Sequence, residues 1–383
     1  MSEKYYRNSV VEVDLEAVHH NFTAIQALHE DKTFIAVIKA NAYGLGSTIV
    51  AEYLAARGAE FFAVATLDEA IELRMHGIKK KILVLGPINP EDINKAIQHR
   101  VAITAPSLGW LVEAQSYVRD MDDKEVWIHI KVNSGMNRLG TSDIDEIGKM
   151  IDVIERSAHL VYEGIYSHFS SADIDSDQND KEYEKFKHIT SAVRKPKYVH
   201  VQNSAGSLRL TDDYCNAVRV GISLYGYYPS DYIRKIAKVH LKPSVGLKTQ
   251  VVDVHVLEQG EGNSYGLDYS ADSAHKIATL PLGYADGFLR ARTGYRVSLE
   301  DGTSCPVVGK VCMDYIMIKV PDSVQPGDSV NVIVPDRASE QSMEAYSDFV
   351  GTIPYESLCM LARRLPRIYH GDAPIFVNNE VLK

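Results

Sequence analysis

Cysteine, basic charge and long apolar runs are all scarce in this chain, and each shortage excludes a class of protein. The four cysteines, Cys215, Cys305, Cys312 and Cys359, include no C-x-x-C pair, so neither a disulfide framework nor a zinc knuckle is expected. Thiols kept reduced in the cytosol are the plain reading. Lys plus Arg number 41 against 51 for Asp plus Glu, a formal net charge of −10. That balance argues against a general nucleic-acid or anionic-membrane binder, although a local basic pocket is compatible with it. No stretch reaches the roughly 18 apolar residues of a membrane span. The first residues run into Val10–Asp14 without an apolar signal segment, and a cytoplasmic location is expected. No G-x-G-x-x-G follows the first strand, which weighs against a doubly wound dinucleotide fold.

What the chain does contain is an alternation of short apolar runs with helix-sized intervals. Its 383 residues, 45% of them hydrophobic, suggest two domains. Runs at Phe34–Ile38, Phe61–Ala65, Lys81–Leu85, Val101–Thr104, Val126–Val132, Val161–Tyr166, Tyr198–Gln202 and Ala217–Val220 make about eight strands. Eight β/α units predict a (β/α)8 TIM barrel over residues 11–235. A helix after Thr66, with Glu69 three residues on and Gly77 beyond its end, carries the expected capping chemistry. After residue 235 the period changes from 3.6 to two, as in Val251–Leu257. Residues 236–383 are therefore expected to form a mostly β domain, completed by the N-terminal strand within residues 1–15.

Lys39 ends the first barrel strand, where this fold keeps its catalytic groups; position alone also allows a lysine that merely snorkels from a strand end. Arg219 lies inside the last barrel strand, where a permanent charge in an apolar run needs a partner or a task. Asp173, Asp175 and Asp177 with Glu184 partly imitate a calcium loop, but Gln178 stands where the turn needs glycine, so a solvated acidic loop is expected and no metal site. Cys312 reads as a buried strand thiol.

The segment V-I-K-A-N-A-Y-G around Lys39 resembles the lysine motif of the alanine racemase family. Lys131–Gly140, K-V-N-S-G-M-N-R-L-G, is similar to the family's K-x-D-T-G-M-x-R-x-G, with Asn133-Ser134 replacing Asp-Thr. Gly164–Phe169, Asn203-Ser204, Arg219–Gly226, Gly262–Gly266, Pro281–Gly287 and Val311–Asp314 also match family motifs, so the resemblance covers nearly the whole chain.

The resemblance implies pyridoxal 5'-phosphate as cofactor, held through Lys39, and a two-base interconversion of L- and D-alanine that supplies D-alanine for peptidoglycan. Lys39 and Tyr265 become the two bases. A phenol ordinarily loses its proton near ~10, so the tyrosine needs nearby positive charge, for which His168 and Arg219 are the candidates. Arg138 and Met313 are implied in substrate binding. Tyr43, Ser204, Gly221, Ile222 and Tyr355 are implied in holding the phosphate, and Arg219 in facing the pyridine nitrogen. Asp173, Tyr284 and Arg290 fall at the entrance. Lys131 is either the family's carbamylated lysine or an ordinary strand lysine. A homodimer with shared active sites follows, with no nucleic-acid or membrane partner. A barrel-plus-β decarboxylase would need a C-E-S-x-D-like segment, which is missing here. A cofactor-binding barrel without turnover would lack the second domain, and a cofactor-free aldolase would have no use for the phosphate residues.

Overall fold

The structure, a computed structural model, describes residues 5–119, 124–371 and 376–382. The chain divides into two compact units: His19–Ala42 with Ser47–Leu241, and residues 1–18 with Tyr43–Gly46 and residues 242–383.

The first unit is a closed barrel of eight parallel strands: β2 (Thr33–Val37), β3 (Phe61–Val64), β4 (Lys81–Val84), β5 (Ala102–Ala105), β6 (Val126–Lys131), β7 (Leu160–Tyr166), β8 (Tyr198–His200) and β9 (Ala217–Val220). Strand β1 (Val10–Asp14) precedes them and belongs to the other unit. Pairing of β2 with β9, from Thr33↔Ala217 to Ala36↔Val220, closes the ring. The strands are short and almost wholly apolar because helices cover the outside and side chains fill the inside. Ile35, Val37, Phe61, Ala63, Leu83, Ala102, Tyr198 and Ala217 form one buried cluster. Local chemistry starts the outer helices. Thr66 accepts from the Glu69 amide while the Glu69 carboxylate accepts from Thr66, making a full capping box on Leu67–Met75, and Ser107, Asp143 and Ser230 cap later helices.

The second unit is built on a ten-stranded sheet. Its strands are β1, β10 (Val245–Gln250), β11 (Asp253–Leu257), β14 (His275–Leu280), β15 (Arg296–Leu299), β16 (Ser304–Val308), β17 (Ile316–Val320), β18 (Ser329–Ile333), β19 (Arg367–His370) and β20 (Phe376–Asn378). β12 (Gly262–Asn263) and β13 (Tyr269–Ser270) form a separate small hairpin. β1 sits between β10, antiparallel, and β19, parallel, so both of its edges are satisfied. Among the described residues no helix is long and apolar enough to cross a membrane.

Candidate active site

Lys39 stands one residue beyond β2, after Ile38, and opens a turn that the sequence does not announce. Ala40, Asn41, Ala42 and Tyr43 all take left-handed backbone angles, with φ between 53 and 56°. Each such non-glycine residue costs about 1–2 kcal/mol, so the turn must be held from outside. Glu69 does much of this. Its Oε1 accepts the amides of Ala40 at 2.6 Å and Asn41 at 3.4 Å, and its Oε2 accepts those of Ala65 at 2.8 Å and Thr66 at 3.2 Å. Asn41 Oδ1 then takes the Ser47 amide at 2.8 Å. One carboxylate thus ties the lysine turn to the end of the neighbouring strand. The capping pattern made Glu69 visible in the sequence, but only as a helix cap.

Around this turn the barrel collects positive charge. Arg219, only 3% exposed, donates from Nη1 to His200 Nδ1 at 2.7 Å and from Nη2 to the carbonyls of Ser167 at 2.7 Å and Val201 at 3.1 Å. His168 Nδ1 lies 3.3 Å from the same Nη2. Among the described residues no acceptor engages the Arg219 Nε–H. Burial lowers the Arg219 pKa to about 10, so the guanidinium is cationic at neutral pH. Burial, with Arg219, Lys131, Arg138 and Lys39, pushes His168 well below the usual imidazole range. His168 is therefore neutral, and the expectation that it contributes positive charge is corrected: the cations around it prevent its protonation. Lys131 is lowered to about 7 by burial and by Arg219 and Arg138. Its ammonium faces the Tyr166 ring at 4.8 Å and reaches the Val132 carbonyl at 3.3 Å.

Arg138 is exposed on the loop after β6. That loop is pinned by Asn133, whose Oδ1 accepts from Gly135 and Asn137, and by Ser134, 2.7 Å from Ser167 Oγ. Gly140 takes φ 95°, and a Cβ there would meet the Lys131 carbonyl at 2.4 Å.

Two further groups of anticipated residues meet. The Ser204 hydroxyl accepts the Gly221 amide at 2.9 Å, and Ile222 starts the 3-10 turn that follows. In the other unit, Tyr43 and Tyr355 have ring centroids 6.1 Å apart. Burial and the nearby Cys359 push the Tyr43 phenol upward, so it is a neutral hydrogen-bond donor.

Tyr265 stands in a different setting. It is 72% exposed, in a 3-10 turn (Tyr265–Leu267) whose preceding Ser264 has φ 69°. Ser264 Oγ donates to the Lys310 carbonyl at 2.6 Å, and Tyr284 and Ala285 donate backbone amides to Cys312 and Met313. These bonds join three loops into one face carrying exposed Tyr265, Leu267, Tyr284, Met313 and Tyr315. Arg290 is exposed in a later 3-10 turn, Arg290–Arg292, of the same unit. Cys312 is half-buried in a loop after β16 and not in a strand, which corrects the sequence reading; the strand ends at Val308. Asp173 lies in the loop after β7, where its carbonyl accepts from Ser230 Oγ.

The donor set suits an anionic aldehyde cofactor. Lys39 supplies a primary amine, Arg219 a buried cation with a spare N–H, and Lys131 and Arg138 further positive charge; no carboxylate figures among the charges that shift His168. Ser204 and the amides at Gly221 and Ile222 are hydrogen-bonding groups of the kind a phosphate requires.

The chain is similar to known proteins along its whole length. The family model for the alanine racemase N-terminal domain matches residues 13–229, and that for the C-terminal domain matches residues 244–369. The alanine racemase of Staphylococcus saprophyticus is 51% identical over 383 residues, covering 100% of both chains. The structure of the Bacillus anthracis alanine racemase with bound L-Ala-P has a TM-score of 0.94 at 37% identity, covering 99% of this chain and 100% of that one. A histidine racemase from Leuconostoc mesenteroides has a TM-score of 0.88 at 26% identity, covering 97% and 100%. Matched from the barrel through the β unit by both domain models and by full-length relatives, the chain belongs to the alanine racemase family.

Proposed function

We propose that this chain interconverts L- and D-alanine with pyridoxal 5'-phosphate, in the cytoplasm, and so supplies D-alanine for cell-wall peptidoglycan. The observation that carries this reading is the group of cations at the barrel mouth, Lys39, Lys131, Arg138 and Arg219, set around a neutral His168. When bound, the cofactor supplies the electron sink that makes the Cα proton of an amino acid removable. The protein supplies the rest. Lys39 holds the cofactor aldehyde and then carries a proton at Nζ on one face of Cα; Tyr265 carries it at the phenol oxygen on the other. Two proton carriers on opposite faces let either enantiomer enter and its mirror image leave, whereas a single carrier tends to return the proton to its own face.

Arg219 would face the pyridine nitrogen when the cofactor is bound; as a donor without a lone pair it would leave that nitrogen unprotonated, limiting charge spreading into the ring and suppressing transamination. Ser204, Gly221, Ile222, Tyr43 and Tyr355 hold the phosphate. Arg138 pairs with the substrate carboxylate, Met313 borders the side chain, and Asp173, Tyr284 and Arg290 line the approach. Lys131, with a pKa near 7, has a large neutral fraction at physiological pH. Its free amine can add carbon dioxide, forming an N–C bond and releasing one proton, and the resulting carbamate anion would pair with Arg138.

The exposed face around Tyr265 supports a homodimer in which that tyrosine completes the partner's site. Tyr265, Leu267 and Met313 are 72%, 67% and 52% exposed, unusual for apolar side chains grouped on fixed loops.

The test is to incubate the protein, loaded with pyridoxal phosphate, with L-alanine and to follow D-alanine by chiral chromatography. Equal amounts of the two enantiomers should accumulate from either starting material. Serine and histidine belong in parallel reactions. A protein that binds the cofactor yet leaves L-alanine optically pure, or that turns over histidine faster, would refute the reading.

A further inference from the structure

A line of polar side chains runs through the barrel interior to Arg219, and its other members take no part in the steps above. Lys81 opens β4 at the N-terminal rim of the barrel, Glu163, His129 and His200 lie buried on β7, β6 and β8, and Arg219 stands toward the mouth on β9. The Lys81 ammonium donates to Glu163 Oε1. Glu163 Oε2 is 3.1 Å from His129 Nε2, His129 Nδ1 is 3.0 Å from His200 Nε2, and His200 Nδ1 is 2.7 Å from Arg219 Nη1.

Donor chemistry gives this line one direction. A guanidinium has no lone pair, so His200 Nδ1 accepts and the His200 proton sits on Nε2. That N–H donates to His129 Nδ1, which places the His129 proton on Nε2, facing Glu163. An ionised carboxylate only accepts, so the line ends there without conflict, and Lys81 balances its charge. Burial lowers both imidazoles, despite Glu163 in the case of His129, and they are neutral. Burial alone would raise Glu163, but the bonds from His129 and Lys81 outweigh it and keep the carboxyl low.

The backbone is shaped around the same groups. Strand pairing passes from Ile128↔Tyr162 directly to His129↔Gly164, leaving Glu163 as the extra residue of a bulge, a device that re-aims a side chain. Gly164 makes room for the imidazole, since a Cβ there would lie 2.2 Å from His129 Nδ1.

We propose that Glu163 is a positioning residue for Arg219: through His129 and His200 it fixes the tautomers that leave a lone pair for the guanidinium. If His200 carried its proton on Nδ1, donor would face donor and the arginine would swing away. The consequence for turnover rests on the reading that Arg219 faces the cofactor nitrogen; the tautomers do not.

Histidine-selective 15N labelling tests the two parts separately. Long-range proton–nitrogen correlation shows which nitrogen of each ring is protonated, and His129→Gln and His200→Gln assign the two signals among the 14 histidines. Both rings should carry the proton on Nε2 in the wild type. A His200 protonated on Nδ1, or a cationic His129, overturns the proposal whatever the enzyme turns over. Glu163→Gln keeps an acceptor for His129 and should preserve the tautomers and most of kcat. Glu163→Leu should mix the tautomers and lower kcat about tenfold, with KM changed less than about twofold. If that variant fails to fold, the wild-type and Glu163→Gln spectra still decide. A fall in kcat with both tautomers intact, or mixed tautomers with kcat unchanged, contradicts the positioning role. Tautomers as stated in a wild-type protein that does not racemise alanine would uphold the line and refute the functional reading.

Discussion

The barrel mouth and the Tyr265 face solve opposite problems. In the barrel, Lys39 and Arg219 are over-determined: one opens a left-handed turn whose first two amides are clamped by Glu69, and the other is buried and bonded to two carbonyls and an imidazole. Tyr265 sits on a loop pinned by the neighbouring Ser264 hydroxyl on the Lys310 carbonyl, with its own ring open to solvent. On the proposed reading these are the groups that hold the cofactor, and their fixed backbone and bonding suit that task. A group fixed at its backbone but bare at its side chain has the form of a half-site awaiting a second surface. In energetic terms, the strain of the left-handed turn is tolerable only because surrounding acceptors are already in place.

The sharpest way to break this contrast is at Lys39. Lys39→Ala should lower racemisation by at least about 10⁴-fold, because both the cofactor anchor and one proton carrier are lost. Borohydride treatment of the wild type with pyridoxal phosphate should leave a pyridoxyl group on the Lys39 peptide. Label on another lysine would remove the barrel mouth from the account.

A smaller effect is expected at the clamp. Glu69→Ala strips four amides of their shared acceptor, and kcat should fall about tenfold as the lysine turn loosens. Hydrogen exchange at Ala40 and Asn41 should accelerate in the same variant, while Asn41→Gly, which relieves left-handed strain, should be tolerated better than Asn41→Val. Unchanged exchange at the turn would show that Glu69 serves only its helix.

The mildest effect concerns Lys131. A lysine whose pKa is lowered to about 7 gains neutral amine as pH rises through that value, so at fixed dissolved carbon dioxide its carbamylation should increase in the same direction. Incubation with 13C-labelled carbon dioxide should give a carbamate signal that is absent in Lys131→Met, and exclusion of carbon dioxide should cost activity only several-fold. No signal at pH 8 would mark Lys131 as a plain interior lysine.

The two regions also differed in how far they could be read from sequence. The barrel was legible because eight apolar runs at helix-sized intervals leave few alternatives, and Lys39 and Arg219 were conspicuous as charges at or inside those runs. The left-handed turn was not legible: Ala-Asn-Ala-Tyr contains no glycine, and its first two amides are held by the carboxylate of Glu69, brought in from the following strand–helix unit. His129, Glu163 and His200 also stood inside apolar strands, the same signal that exposed Arg219. Their connection depends on three strands and a bulge, which no spacing along the chain reveals. His168, which its place beside Arg219 suggests as a source of positive charge, is neutral because burial lowers its imidazole pKa and the neighbouring cations lower it further.

The most direct test asks whether the two half-sites combine across subunits. Lys39→Ala and Tyr265→Ala chains, each nearly inactive alone, should be mixed by co-expression, with hybrid formation verified by mass. If Tyr265 completes the partner's barrel, each hybrid dimer has one intact site and one doubly defective site. Random pairing makes about half of all dimers hybrid, so roughly a quarter of wild-type activity should return. Activity no higher than the mean of the two parents would contradict the shared site and place Lys39 and Tyr265 in the service of the same chain.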